Sequence, residues 1–311
     1  MTPREPIAHT TIPETISQLQ LSNGGFPHRI GAEARSDSTA WAVMALSVLD
    51  TYTFKCEQGR AYLHKQQDTM GRVCISHSHP EASWPTPLAI LAWHGSVNFR
   101  YPEDLSSRFL MNFTGYHFKQ SNTSDMGHDP SIRGWPWIAD THSWVIPTGM
   151  AILALKVAGL GTHARVEEGQ SMILDRQLPH GGWNYGNTFV FGKELHPLPE
   201  CTGVALQALA NDTDLTSVER SLDYLLKELP TLHTPISLGW ALLGLGAWGL
   251  RPSNSEELLL ASLDLQQRYG PFSVPTLALL FCAATASGGL QSLFGLPHSP
   301  TASLPQLESY A

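Results

Sequence analysis

The heptapeptide QLSNGGF (Gln20–Phe26) is written again as QLPHGGW (Gln177–Trp183), and looser copies stand at QDTMGRV (Gln67–Val73) and QQRYGPF (Gln266–Phe272). All four read glutamine, three residues, glycine, any residue, then a large apolar side chain. A phrase that recurs at wide spacing marks a repeat architecture, each copy belonging to one supersecondary unit that stacks on its neighbours. Among the copies lie apolar, small-residue-rich segments: STAWAVMALSVL from Ser38, WPTPLAILAWHG from Trp84, WVIPTGMAILALKVAG from Trp144, CTGVALQALA from Cys201, ISLGWALLGLGAWG from Ile236 and VPTLALLFCAAT from Val274. They are apolar nearly all round, as helices buried on both sides must be. More amphipathic stretches alternate with them, such as Glu57–Gln67, Ala164–Gln177 and Ser217–Leu229. No run keeps the period of two that a half-buried strand requires. The pattern predicts an all-α chain of outer helix, corner and inner helix, repeated six times and closed into an (α/α)6 toroid around a cavity. The repeats span roughly residues 16–286, an irregular tail covers 287–311, and the whole of 1–311 is read as one domain.

Each part of the corner has a mechanical task. Glycine ends the outer helix in a left-handed conformation. The apolar residue closes over the turn, and the glutamine side chain can satisfy backbone groups orphaned at helix ends. The next helix opens on Ser, Thr, Asp or Pro, the residues that suit a first turn. Two units depart from the phrase. Gln120 is separated from GWPW by the insertion Ser121–Arg133, and the unit ending near Glu228 lacks the glycine–aromatic pair.

Composition narrows the partners. Only 15% of the 311 residues are charged and the net charge is −8, which excludes the clustered basic surface that nucleic acid needs. The four cysteines, Cys56, Cys74, Cys201 and Cys282, show no CxxC spacing and fit reduced thiols of a cytoplasmic protein. No apolar signal segment opens the sequence, and its longest apolar runs, such as Leu238–Leu250, fall short of the roughly 20 residues of a spanning helix. Peripheral contact with a membrane stays open.

The Gln–x3–Gly–x–Trp corner resembles the QW motif of squalene–hopene cyclases, and the six-unit ring also resembles the β subunit of protein prenyltransferases. The resemblance covers essentially Ile16 to Ala286. It implies a prenyltransferase- or squalene cyclase-like enzyme that handles a hydrophobic, isoprenoid-like ligand in the central cavity and, by analogy with the prenyltransferases, a second subunit. Class II terpene cyclases carry Asp–x–Asp–Asp–Thr–Ala, which RSDSTA (Arg35–Ala40) resembles, with the proton-donating middle aspartate falling on Asp37. Arg35 and Ser38 stand where that motif has carboxylates. A protonating acid must be held neutral in a dry pocket, and an arginine neighbour works against that. Prenyltransferases offer a second overlay, an Asp–x–Cys zinc pair with a later histidine; Asp140, His142 and Cys201 supply these ligand types with histidine and cysteine exchanged. No cofactor is expected, zinc at these three residues being the alternative.

The starts of the inner helices should converge on one mouth, bringing Asp37, Asp140, His142, Glu200 and Cys201 together as catalytic or substrate-binding groups. The same carboxylates could simply complement helix dipoles. Trp84, Trp135, Trp137, Trp144, Trp183 and Tyr185 are candidates for an aromatic lining that packs isoprene units or stabilises carbocations; toroid packing is the competing explanation. Two alternatives remain: a non-catalytic lipid- or peptide-binding toroid that has lost the cyclase motif, and a carbohydrate-active (α/α)6 enzyme using a carboxylate pair drawn from Asp37, Asp140 and Glu200.

Overall fold

The computed structural model describes residues 11–118 and 127–299. Among them, inner helices α2 (Ser36–Leu46), α4 (Pro85–Trp93), α6 (Val145–Val157), α8 (Pro199–Leu209), α10 (Pro235–Ala247) and α13 (Val274–Thr285) alternate with outer elements. The outer layer is α1 (Ile12–Gln18), α3 (Thr53–Lys65), α5 (Arg100–Asn112), α7 (Ala164–Asp175), α9 (Leu215–Glu228) and the pair α11 (Ser255–Asp264) and α12 (Gln266–Tyr269). Each inner helix packs on the next, and α13 packs back on α2. The ring is closed, and the fold is the all-α toroid. Sheet in the described residues amounts to two antiparallel hairpins of two-residue strands, β1 (Phe26–Pro27) with β2 (Ala34–Arg35) and β3 (Phe189–Val190) with β4 (Lys193–Glu194). Of the expected insertion, residues 121–126 lie outside the described residues, as do 300–311 of the expected tail. The tail's described part forms a 3-10 turn, Leu290–Phe294, against α6 and α10.

Local chemistry explains the two layers. Every residue of α2 and of α4 is buried, so these helices carry no polar face to turn outward. Proline stands in the first turn of α4, α8, α10 and α13, where its missing N–H would have had no helical partner. In α9, by contrast, Val218, Ser221, Leu222, Leu225 and Leu226 are buried, the stripe of a helix that shows one face to the core. Inner helices approach closest where both lack side chains. A Cβ on Gly203 of α8 would stand 2.1 Å from the Trp240 carbonyl oxygen, and one on Gly244 of α10 would stand 2.7 Å from the Gly203 Cα.

The corners sit on the rim where inner helices begin. Gly24, Gly71, Gly181 and Gly270 all take positive φ, from +86° to +96°, which is the left-handed turn the phrase requires. The glutamines reach forward into the next unit. Gln20 Nε2 donates to the Lys55 carbonyl on α3 (2.8 Å), Gln67 Nε2 to Pro102 O and Ser106 Oγ on α5 (both 2.8 Å), and Gln177 Nε2 to Ser221 Oγ on α9 (2.8 Å). The last copy turns inward instead, with Gln266 Oε1 accepting from Phe272 N. Where the insertion displaces the glutamine, Arg165 of α7 replaces it: its guanidinium donates to Gly134 O (2.6 Å) and stacks over Trp135 at 4.0 Å.

A threonine completes four of the corners. The N–H groups of Phe26, Val73, Trp135 and Trp183 donate to the Oγ1 atoms of Thr39, Thr86, Thr148 and Thr202, at 2.8–3.0 Å, each in the first turns of the following inner helix. Thr148→Val keeps the shape and removes the acceptor, leaving a buried N–H unpaired. Urea unfolding should show a loss of about 1–3 kcal/mol at an unchanged m value; an unaltered midpoint would mean that the corner does not need this bond.

Candidate functional site

The amino ends of the inner helices open on one mouth, and their first turns enclose a cavity of about 170 Å³. Trp41, Met150, Trp240 and Leu279 are the sixth residues of α2, α6, α10 and α13, and they form its deepest ring together with Leu88 of α4. No residue beyond the sixth of an inner helix reaches the cavity, so its depth is about 9 Å at 1.5 Å per residue. α8, drawn against α10, contributes nothing to the lining. Two edge-to-face tryptophan pairs shape the walls: Trp41 with Trp240, and Trp84 with Trp137, each with centroids 5.7 Å apart. The hydroxyl of Thr276 in the lining is bonded to Ser273 Oγ at 2.8 Å. The result is a shallow, tryptophan-walled apolar cup.

Asp37 lies one helical turn above Trp41, on the same face of α2, and is 6% exposed. Arg35 grips it through two parallel hydrogen bonds, Nε to Oδ1 at 2.9 Å and Nη2 to Oδ2 at 3.0 Å. Such fork-to-fork pairs are short, directional and strong. Both carboxylate oxygens are thus engaged by the guanidinium. Asp37 does not cap α2 either, because Arg35 occupies the N-cap position and no side chain bonds there. Beside the pair, His28 is driven towards its neutral form, by burial first and by Arg35 second, and its buried Nδ1 makes no hydrogen bond.

Of the other residues singled out in the sequence, Trp84 and Trp137 line the cup. Trp135 and Trp183 do not. They are the closing aromatics of corners, fully buried, with indole N–H groups donated to the outer-helix carbonyls of Leu110 (2.9 Å) and Ile173 (2.7 Å). Asp140 and His142 are exposed on the loop before α6, whereas Cys201 is buried within α8. Among the described residues no three His, Cys, Asp or Glu side chains converge as a metal set. The zinc overlay therefore finds no assembled site. Burial, and then Glu200, also hold the Cys201 thiol far above its ordinary range, away from the thiolate that zinc would need. Glu200 accepts from Ser237 Oγ at 2.7 Å and ties α8 to α10. In the ring α8 stands opposite α2, so Glu200 and Asp37 face each other across the mouth and not side by side. Trp144, Tyr185 and His142 line clefts outside the cup. Sequence reasoning missed Trp41 and Met150 as lining; the four-residue step from Asp37 would have found Trp41.

Neither a protein-family model nor a curated protein matches the sequence. Solved structures do match. A variant of the type II terpene cyclase MstE from Scytonema, in complex with its substrate geranylgeranyl dihydroxybenzoate, superposes with a TM-score of 0.60 at 12% identity, over 89% of this chain and 96% of that one. The fold is that of the type II terpene cyclase toroid. ent-Copalyl diphosphate synthase from Streptomyces platensis matches at a TM-score of 0.50 and 16% identity, over 89% of this chain and 45% of that longer one. An alpha-amylase from Clostridium perfringens gives a TM-score of 0.54 at 11% identity, over 92% and 99%. At such identities the terpene cyclase likeness is one of fold, and the chemistry has to be argued from the cup.

Proposed function

We propose that this protein binds the apolar end of an isoprenoid chain in the tryptophan-walled cup, as a binding toroid in which Arg35 keeps Asp37 from acting as a proton donor. The observation that carries the reading is the pairing of four indoles around an apolar cavity at the mouth of the ring. A dry cavity of about 150 Å³ takes a benzene, so about 170 Å³ suits one or two isoprene units. The substrate complex of the structurally similar MstE variant supports the ligand class. Four unpaired cysteines fit a reducing, cytoplasmic setting. No helix among the described residues is long and apolar enough to cross a membrane. The carbohydrate reading has no comparable support, since Asp37 is held by Arg35 and Glu200 lies across the ring.

Titration with farnesol, followed by tryptophan fluorescence, tests this. Saturable quenching is expected, and Trp240→Ala should weaken it roughly tenfold or more, because a buried aromatic contact of about 1.5–3 kcal/mol exceeds the ~1.4 kcal/mol of one decade. The wild-type protein should leave squalene and geranylgeraniol uncyclised. Cyclisation by the wild type, abolished in a folded Asp37→Asn variant, would overturn the binding reading in favour of a cyclase.

A further inference from the structure

Outside the cup, a second cavity of about 200 Å³ opens beside the start of α6, and unlike the cup it carries histidine, asparagine and arginine side chains. Its walls carry Tyr116, His117, His128, His142, Asn187 and Arg176. It shares no residue with the cup.

Arg176 decides what this cavity is for. It follows the last turn of α7, and its side chain is only 7% exposed. A cation that deeply placed is normally matched by an acceptor at each edge. Here Nη1 donates to the Gly186 carbonyl at 2.8 Å. That bond explains why the residue sits where it does, but it engages only one corner of the guanidinium. Nε is buried and makes no hydrogen bond, and none engages Nη2 among the described residues. The nearest carboxylate, Asp175 Oδ2, stands 3.7 Å from Nε, beyond hydrogen-bonding distance, and already accepts the Asp129 N–H. With Nε out of reach of the cavity, Nη2 is the donor left to it, and Nη2 is one of the two nitrogens with which Arg35 grips Asp37.

Three imidazoles stand on the walls around it. His117 Nε2 pairs with Ser143 Oγ at 3.0 Å, and burial followed by Arg165 and Arg133 lowers its basicity. His142 is stacked on Phe118 with centroids 5.4 Å apart, and His128 Nδ1 lies 3.4 Å from Thr188 Oγ1. A buried guanidinium beside imidazole and amide side chains in one cavity suits an anion, with Asp175 at 3.7 Å as its nearest carboxylate.

We propose that this cavity binds a small oxyanion, the phosphate or carboxylate end of an organic ligand, with Arg176 as its cationic anchor. The test uses the whole chain and two probes, inorganic phosphate and acetate, titrated calorimetrically at constant ionic strength against chloride. Saturable binding of at least one probe is expected, and the preferred one identifies whether the natural group is a phosphate or a carboxylate. Arg176→Gln should weaken that binding at least roughly tenfold. Should that variant fail to fold, Asn187→Asp places a negative charge on an exposed wall residue and should suppress binding to the same extent. Absence of saturation with both probes, or unchanged affinity in a folded variant, overturns the proposal. Farnesol binding in the cup should survive both substitutions, so failure here is distinguishable from failure there.

Discussion

Gly203→Ala should cost the fold about 3 kcal/mol or more, at the upper end of what overpacking does in a close-packed core. The added methyl would meet the Trp240 carbonyl oxygen at 2.1 Å, and that atom belongs to a helix backbone that no rotamer change can move aside. α8 and α10 would have to part, and the cup wall carried by Trp240 would part with them. Gly161→Ala is the control: its Cβ would meet Lys156 only at 3.4 Å, ordinary contact distance, and its midpoint should stay within about 0.5 kcal/mol of wild type. Chemical denaturation of both variants decides the matter. Equal midpoints would show that the two helices are not locked backbone to backbone.

Asp37→Asn and Asp37→Ala should each destabilise by about 1–2 kcal/mol, since both remove a charge-assisted fork whose arginine end is partly solvated. Arg35→Ala should cost a similar amount. The double variant Arg35→Ala with Asp37→Ala should cost clearly less than the sum, giving a coupling of roughly 1 kcal/mol. A helix-capping role predicts otherwise: asparagine caps about as well as aspartate, so only alanine would destabilise. Zero coupling in the cycle would remove the ion pair as the reason for Asp37's burial.

The fold was legible in the sequence because its corners are local. A glycine at positive φ, a closing aromatic and a threonine acceptor all fall within one short segment, and the glycine and aromatic are visible as the recurring phrase. The threonine partners were equally readable, thirteen residues after Phe26, Val73 and Trp135, but they carry no compositional contrast. The cup was only half legible. A helix buried on every side, such as α2, has no polar face to reveal which residues point to the centre. Trp135 and Trp137 show the problem at its smallest scale: two residues apart in the chain, one closes a corner and the other lines the cup. Arg35 was legible as a departure from the cyclase motif, and its fork onto Asp37 is the geometric form of that departure. The Arg176 cavity was not legible, since its walls come from five separate stretches of chain that only the ring brings together.

The forward reach of the corner glutamines gives the ring a direction. Gln20, Gln67 and Gln177 each fasten their own unit to the outer helix that follows, while Gln266 folds its bond back on itself. Between the last unit and the first, closure rests on apolar packing of α13 against α1 and α2, with the Val274–His28 backbone bond beside it. Mechanically the molecule is a belt with a buckle: three of its links are pinned forward by glutamine, and the join is pressed shut by apolar packing. Local opening in such an array starts where neighbouring units are least tied. Asp37 and Trp41 stand on the α2 side of that join and Leu279 on the α13 side, so opening at the join would part the wall of the cup between them.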